Sequence, residues 1–435
     1  MTASPAKSSH LVRWQTINLA LLVAGYAGCY LCRSDLSVTM PLLVRELSAH
    51  GRNANEARVM LGSVASLGVL AYAIGKFPSG SLADLFGGRR NFLLGMGGSI
   101  GFTLLFAASG SLPLFTLVWM GNRLVQSLGW AGAVKIASRW FPFQKYGTVM
   151  AIVSLSYLFG DAAARQFMGL LISQGLGWRA IFLAAAAVLA ALFIACLWLR
   201  ESPAQAGGQE PRENPQNLFV AGTDKYNAPR LGELLRPFLH SRVFWLACVL
   251  SLGLTLLRET FSLWTPTYFG QATGMTPGDA ASASALFPFF GGISVIVCGW
   301  LSDRLGRGGR AALMLGGLAL AGVALLVLAI GLPRDTRTWA VVLVALVGCL
   351  VVGPYSFLAG AISLDFGGKR GGGTASGLID GIGYLGGVLA GDGMARISVN
   401  YGWTGAFLVL AAVAFLSSLA AGAFLRLENR RPVCN

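Results

Sequence analysis

Apolar stretches of about 20 or more residues recur from one end of this 435-residue chain to the other, each long enough to cross a hydrocarbon layer of about 30 Å. They recur too often to be the buried core of one water-soluble domain. We place twelve, at 14–44, 57–83, 91–110, 113–139, 146–173 and 178–199, then 242–270, 278–302, 310–331, 337–365, 372–398 and 403–426. Composition agrees, with 55% hydrophobic and only 12% charged residues, which excludes a soluble or a disordered chain. The expected fold is all-α and integral to a membrane.

A net charge of +15 would point to nucleic acid in a soluble protein. Here the basic residues gather at alternate helix ends: Lys7 and Arg13, Arg89 and Arg90, Arg139 and Lys145, Arg304, Arg307 and Arg310, Lys369 and Arg370, Arg430 and Arg431. That is the positive-inside bias, and it assigns both termini and the long central loop to the cytoplasm. Arg45, Arg52 and Arg58 on the first outer loop, partly balanced by Glu46 and Glu56, weaken the asymmetry there. The first span is not read as a signal peptide, because hydrophobicity continues past Cys29 to Pro41 and Tyr26 stands where a lipoprotein site wants an aliphatic residue. Six of seven cysteines lie in the spans, and the pair Cys29 and Cys32 has no second pair to make a zinc site. No metal or cofactor is expected, and no nucleotide-binding motif or nucleophile triad suggests an enzyme.

The chain is internally duplicated. "GSLADLFGGRR" around Asp84 returns as "GWLSDRLGRGGR" around Asp303, and "GWRAIFLAAAAVLA" at Trp178 returns as "GWTGAFLVLAAVAF" at Trp403. We therefore expect two pseudo-symmetric six-helix bundles, 1–200 and 242–435, joined by a polar linker at 201–241 rich in Pro, Gly, Gln and Asn. Arg33 and Arg258 are separated by the same offset as Trp178 and Trp403. Each lies eight residues before a proline, Pro41 and Pro266, inside an apolar span. A charge at bilayer depth costs roughly 2.5–3.5 kcal/mol even on lenient insertion scales, so matched charges mark a functional site. Arg33 falls about 6 Å from the midpoint of its span at 1.5 Å per residue, and Arg258 is similarly central. Two planar forks suit a phosphate dianion, whereas one carboxylate needs one fork.

These features together resemble the major facilitator superfamily and, within it, the organophosphate:phosphate antiporters, over essentially the whole chain. The family's first-span pattern stands here as Tyr26, Tyr30, Arg33, Met40 and Pro41, its second as Tyr72 and Lys76, its fourth as Gln126, Gly129, Trp130, Lys135 and Trp140. Its seventh reads Arg258, Trp264, Pro266, Thr267 and Tyr268, and Tyr384 lies in "GYLGG" of the eleventh. The cytoplasmic gate motif reads Gly80, Asp84, Gly87, Arg89 and Arg90, repeated at Asp303 and Arg304. The resemblance implies a phosphate between Arg33 and Arg258, with Lys76 adding charge, tyrosines donating to the rest of the solute and the gate carboxylates forming a charge lock on the cytoplasmic side. Aromatic packing explains Tyr26, Tyr30, Tyr72 and Tyr384 equally well. Tyr157, Pro288 and Leu263 stand where glycerol-3-phosphate transporters carry His, Glu and Asp, so recognition of the organic part should differ.

Two repeat-related motifs lie one in each half, "GDAAAR" with Asp161 and Arg165 and "GDGMAR" with Asp392 and Arg396. An Asp and an Arg at i and i+4 can neutralise each other, either as gating pairs between the halves or as wet pairs near the outer surface. Asp380 has no basic residue at i±3 or i±4 and is expected to bind solute or pair with Lys76. Asp35 and Glu259 flank the arginines but, at i+2 and i+1, are expected to point elsewhere. The expected function is exchange of an organic phosphate for inorganic phosphate by a monomer in the cytoplasmic membrane, with lipid as its other partner. A proton-coupled organic anion or phosphonate symporter, and a sugar-phosphate sensor, remain open alternatives.

Overall fold

The computed structural model describes residues 5–142, 146–211, 238–305, 308–331, 336–358, 362, 366 and 378–429, and all regular structure among them is helical. Most of the expected linker therefore lies outside the described residues. In the first half, α1 (Pro5–Cys29) and α2 (Leu31–Ala49) form one span broken at Tyr30, followed by α3 (Ala54–Phe86), α4 (Gly88–Ala108), α5 (Leu112–Trp140), α6 (Tyr146–Ser173) and α7 (Trp178–Cys196). The second half comprises α8 (Arg242–Ala272), α9 (Pro277–Ser284), α10 (Leu286–Leu305), α11 (Gly309–Ile330), α12 (Thr336–Phe357), α13 (378–389) and α14 (Asp392–Asn429). α9 and α10 are two pieces of the eighth span. α14 completes the eleventh and then forms the twelfth, turning at Gly402, whose φ of 68° and ψ of −176° only glycine adopts readily.

By length and apolarity alone, nine stretches among the described residues can cross a membrane, and the 51-residue stretch Leu378–Glu428 contains two crossings. The remaining two crossings are α5, whose apolar stretch is interrupted by Asn122, Arg123 and Gln126, and α6, which carries Asp161, Arg165 and Gln166. Most of those side chains are buried inside the bundle, where lipid never meets them. Helix ends overrun the sequence-predicted spans, as at Pro5 and Phe86, because a helix can continue into water beyond its apolar stretch.

The duplication survives in three dimensions as repeated bonds. Trp178 Nε1 donates to Glu46 Oε2 at 2.5 Å, and its repeat equivalent, Trp403 Nε1, donates to Gln271 Oε1 at 3.0 Å. Each indole closes an aromatic cluster of its own half, with Phe106, Phe115 and Phe182 around Trp178 and Tyr268 and Phe407 around Trp403. Where the halves meet, Ser37 Oγ lies 2.7 Å from the carbonyl of Ser262, its own repeat equivalent, so α2 and α8 cross on the pseudo-two-fold axis.

The halves close on each other at the end that carries the α2–α3, α6–α7 and α8–α9 connections. There α3 meets the α13–α14 junction backbone to backbone, and a β-carbon on Gly391 would collide with the Gly62 carbonyl. Gly391→Val is expected to overpack this contact by about 1–3 kcal/mol and lower the unfolding temperature in detergent. Gly393→Ala, whose β-carbon would meet nothing closer than 4.0 Å, should not lower it.

Candidate functional site

α2 carries Arg33 into a central cavity between the halves, and α8, buried along most of its length, carries Arg258 into the same cavity from the other side. The Arg33 guanidinium lies 4.5 Å from the ring of Tyr72 on α3 and 5.2 Å from that of Tyr30. Arg258 lies 4.6 Å from the ring of Tyr355 on α12, donates to Tyr384 Oη at 3.3 Å and pairs with Glu259. Tyr72 and Tyr384, one from each half, meet with ring centroids 5.1 Å apart. The two arginines are thus joined by a two-ring bridge whose electron-rich faces favour cations.

One turn beyond Tyr72, Lys76 lies 5.2 and 5.1 Å from the rings of Tyr72 and Tyr384 and pairs with Asp380 of α13, so this ion pair also spans the halves. Tyr355 Oη donates to Asp380 Oδ1 at 3.3 Å. On the N-terminal side Tyr30 and Tyr157, stacked at 6.1 Å, line the cavity, and Tyr26 packs behind them on Tyr30 at 6.0 Å and on Trp130 at 5.4 Å. The charged side chains lining the cavity are Arg33, Arg123, Arg165, Arg258, Asp161 and Glu259, two more cations than carboxylates. In a low-dielectric interior that excess is a strong attraction for an anion.

Glu259 corrects an expectation. An i+1 neighbour points about 100° around the helix, yet both side chains are long enough to lean into one cavity and meet there. Trp264 is not brought to the cavity: its indole donates to the Ala390 carbonyl at 2.8 Å, and its ring lines a separate apolar recess with Tyr268, Trp403 and Phe407. Arg89 does not reach toward the other half. Its Nε and Nη2 donate at 2.7 Å to the carbonyls of Leu199 and Leu197, just past the end of α7, while Glu201 accepts from the N–H groups of Gly88 and Arg89. Arg90 is exposed, and Arg304 is exposed and lies 4.0 Å from the ring of Trp300. The side chains of Asp84 and Asp303 lie outside the described residues. Arg123 and Tyr355 were missed as site residues; an arginine at mid-span was the available signal for the first.

The two repeated Asp/Arg motifs have diverged. Arg165, with a side chain 2% exposed, donates to Asp161 at 3.0 Å and reaches across the interface to the Ser262 carbonyl at 2.6 Å and Ser284 Oγ at 3.1 Å. Ser34 donates to the same Asp161. Arg396, 62% exposed, donates to Asp392 at 2.8 Å, and Asp392 accepts from Ser63 of the other half at 2.6 Å. Asp161→Ala strands a buried guanidinium and is expected to destabilise the protein by about 3–5 kcal/mol. Asp392→Ala leaves Arg396 in solvent, so its unfolding temperature should fall far less; equal losses in thermal unfolding would contradict this division.

The chain matches the family described as Major Facilitator Superfamily over residues 22–391. It is 27% identical over 396 residues to the glycerol-3-phosphate transporter of Bacillus subtilis (strain 168), covering 89% of this chain and 86% of that protein. It is 26% identical over 428 residues to the membrane sensor protein UhpC of Escherichia coli (strain K12), covering 96% and 93%. A bacterial homolog of the human lysosomal transporter Spinster, solved in an inward-facing and unoccupied conformation, shares the fold with a TM-score of 0.70 at 15% identity, covering 96% of this chain and 97% of the other. Twelve spans, an internal repeat that brings Arg33 and Arg258 to the same offset as Trp178 and Trp403, and a family match along most of the length lead to one assignment: the chain belongs to the major facilitator superfamily.

Proposed function

We propose that this chain exchanges an organic phosphate for inorganic phosphate across the cytoplasmic membrane, with both termini in the cytoplasm, by rocking its two halves around the Arg33/Arg258 site. The observation that carries the reading is the delivery of one arginine by each half into one cavity on the pseudo-two-fold axis, bridged by Tyr72 and Tyr384. An anion held by both forks draws the halves onto one charge and lowers the barrier to switching; without it two cations face each other. Glu259 and Asp380 serve as resident counter-ions for Arg258 and Lys76, and a bound phosphate displaces them. Exchange follows, because an emptied site with its internal pairs re-formed lacks the anion that lowers the barrier and waits for another before it switches.

Asp161 and Arg165, with Asp392 and Arg396, then act as the outer gate. Their contacts across the interface, together with Ser37 on α8 and Ser66 on the Val388 carbonyl, must break for that end to open. Asp84, Arg89, Arg90, Asp303 and Arg304 are assigned to the cytoplasmic gate on motif alone. Tyr30 and Tyr157, backed by Tyr26, form the wall for the organic part.

The sensor reading uses the same site and draws support from the likeness to UhpC. Protein reconstituted into liposomes loaded with labelled phosphate separates the two: efflux on adding an external organic phosphate, unaffected by a protonophore, supports exchange. Binding without efflux favours the sensor, and a protonophore-sensitive flux favours proton coupling. Arg33→Lys and Arg258→Lys are each expected to reduce exchange at least about tenfold with membrane insertion intact, since a point charge cannot replace a bidentate fork. Unimpaired exchange in either variant would remove that arginine from the site.

A further inference from the structure

Besides Arg33, Arg258 and the interface-bonded Arg165, α5 delivers a further arginine to the cavity, and it has no repeat-related twin. Arg123 is 3% exposed. Its guanidinium lies 5.1 Å from the ring of Tyr72, the ring on which Arg33 also rests at 4.5 Å, so a single tyrosine ring links the two guanidinium groups. Its hydrogen bonding is sparse: Nη1 donates to Gln126 Oε1 at 3.3 Å, and Nε has no partner. Gln126 is itself fixed, its amide nitrogen donating to the Cys32 carbonyl at 2.8 Å and to Asn122 Oδ1 at 2.6 Å, which turns its oxygen toward Arg123.

The carboxylates around it are engaged or turned away. Glu259 pairs with Arg258, Asp161 with Arg165 and Asp380 with Lys76. Asp35 accepts from the Leu36 N–H at 2.7 Å through Oδ1 and leaves Oδ2 without a partner. Among the described residues no carboxylate lies within ion-pair distance of Arg123. A buried, half-satisfied guanidinium is costly to keep unless something brings it charge. Since Arg33 and Arg258 already match one phosphate with two forks, a third fork beside them suits a second anionic group on the same solute.

We infer that Arg123 forms a second anion subsite, and that the preferred organic phosphate carries a carboxylate a few bonds from its phosphate. This rests on the reading of the cavity as an organophosphate site. Specificity then lies in a residue on α5 rather than in the repeat-related pair, and a neutral polyol phosphate leaves the third fork unpaired.

The test compares 3-phosphoglycerate with glycerol 3-phosphate, which share a phosphate and a three-carbon chain and differ in a carboxylate against a hydroxymethyl group. In liposomes of the full chain loaded with labelled phosphate, the half-saturating concentration of 3-phosphoglycerate should be at least about tenfold lower, the scale of one hydrogen-bonded charge pair. Arg123→Gln should weaken 3-phosphoglycerate about tenfold more than glycerol 3-phosphate, and Arg123→Lys should retain part of the preference. Equal affinities in the unaltered protein, with phosphate self-exchange running, would sink the subsite and leave the proposed exchange standing. Equal weakening of both solutes by Arg123→Gln would make Arg123 a third ligand of the phosphate itself and also overturn it. Absence of phosphate self-exchange would overturn the function beneath both. Should Arg123→Gln fail to insert, the comparison of the two solutes on the unaltered protein decides.

Discussion

Guanidinium groups held between apolar bundles need compensating charge close at hand, and the interior of this protein is arranged around that need. Arg258 has Glu259, Lys76 has Asp380 and Arg165 has Asp161, while Arg33 rests on Tyr72 and Tyr30. None of these partners is interchangeable with water, because the surrounding side chains are apolar and the dielectric is low. The tyrosines contribute in two ways: their ring faces accept cations, and Tyr384 and Tyr355 use their hydroxyls within the same network.

Duplication accounts for much of the architecture, and the departures from it mark where chemistry was added. The indole bonds of Trp178 and Trp403 keep one geometry while exchanging a carboxylate acceptor for an amide. Ser37 meets Ser262 across the axis. By contrast Ser34, which donates to Asp161, has Glu259 at the equivalent position, the counter-ion of Arg258. The two Asp/Arg motifs have likewise parted, one sealed in the interface and one at the surface. A symmetric scaffold thus carries an asymmetric charge distribution.

The helical architecture was legible in the sequence because apolar length alone sets a membrane span, and the repeat offset carried the arginines into register. The side-chain partners were less legible. The i+1 spacing of Arg258 and Glu259 argues for divergence, and only the reach of both side chains into an open cavity reverses it. Trp264 shares a helix with Arg258 but, six residues on, turns to a different neighbour and spends its N–H on Ala390. Arg89 belongs to a motif suggestive of a lock between halves, yet the carbonyls just past α7 are nearer acceptors. Arg123 has no repeat-related twin to draw attention to it. In each case what was hidden is a tertiary neighbour, which spacing along one helix does not encode.

The turn at Gly402 has a mechanical meaning. A single residue joins the last two spans, with no loop in which a displacement could be absorbed. α14 therefore begins beside the interface, where Asp392 meets Ser63, and ends packed against α11 at Ser418, whose hydroxyl donates to the Leu315 carbonyl at 2.9 Å. Any shift of the Asp392 end must be carried through that corner as rotation of the final span, making the periphery of the second half a lever arm for events at the interface.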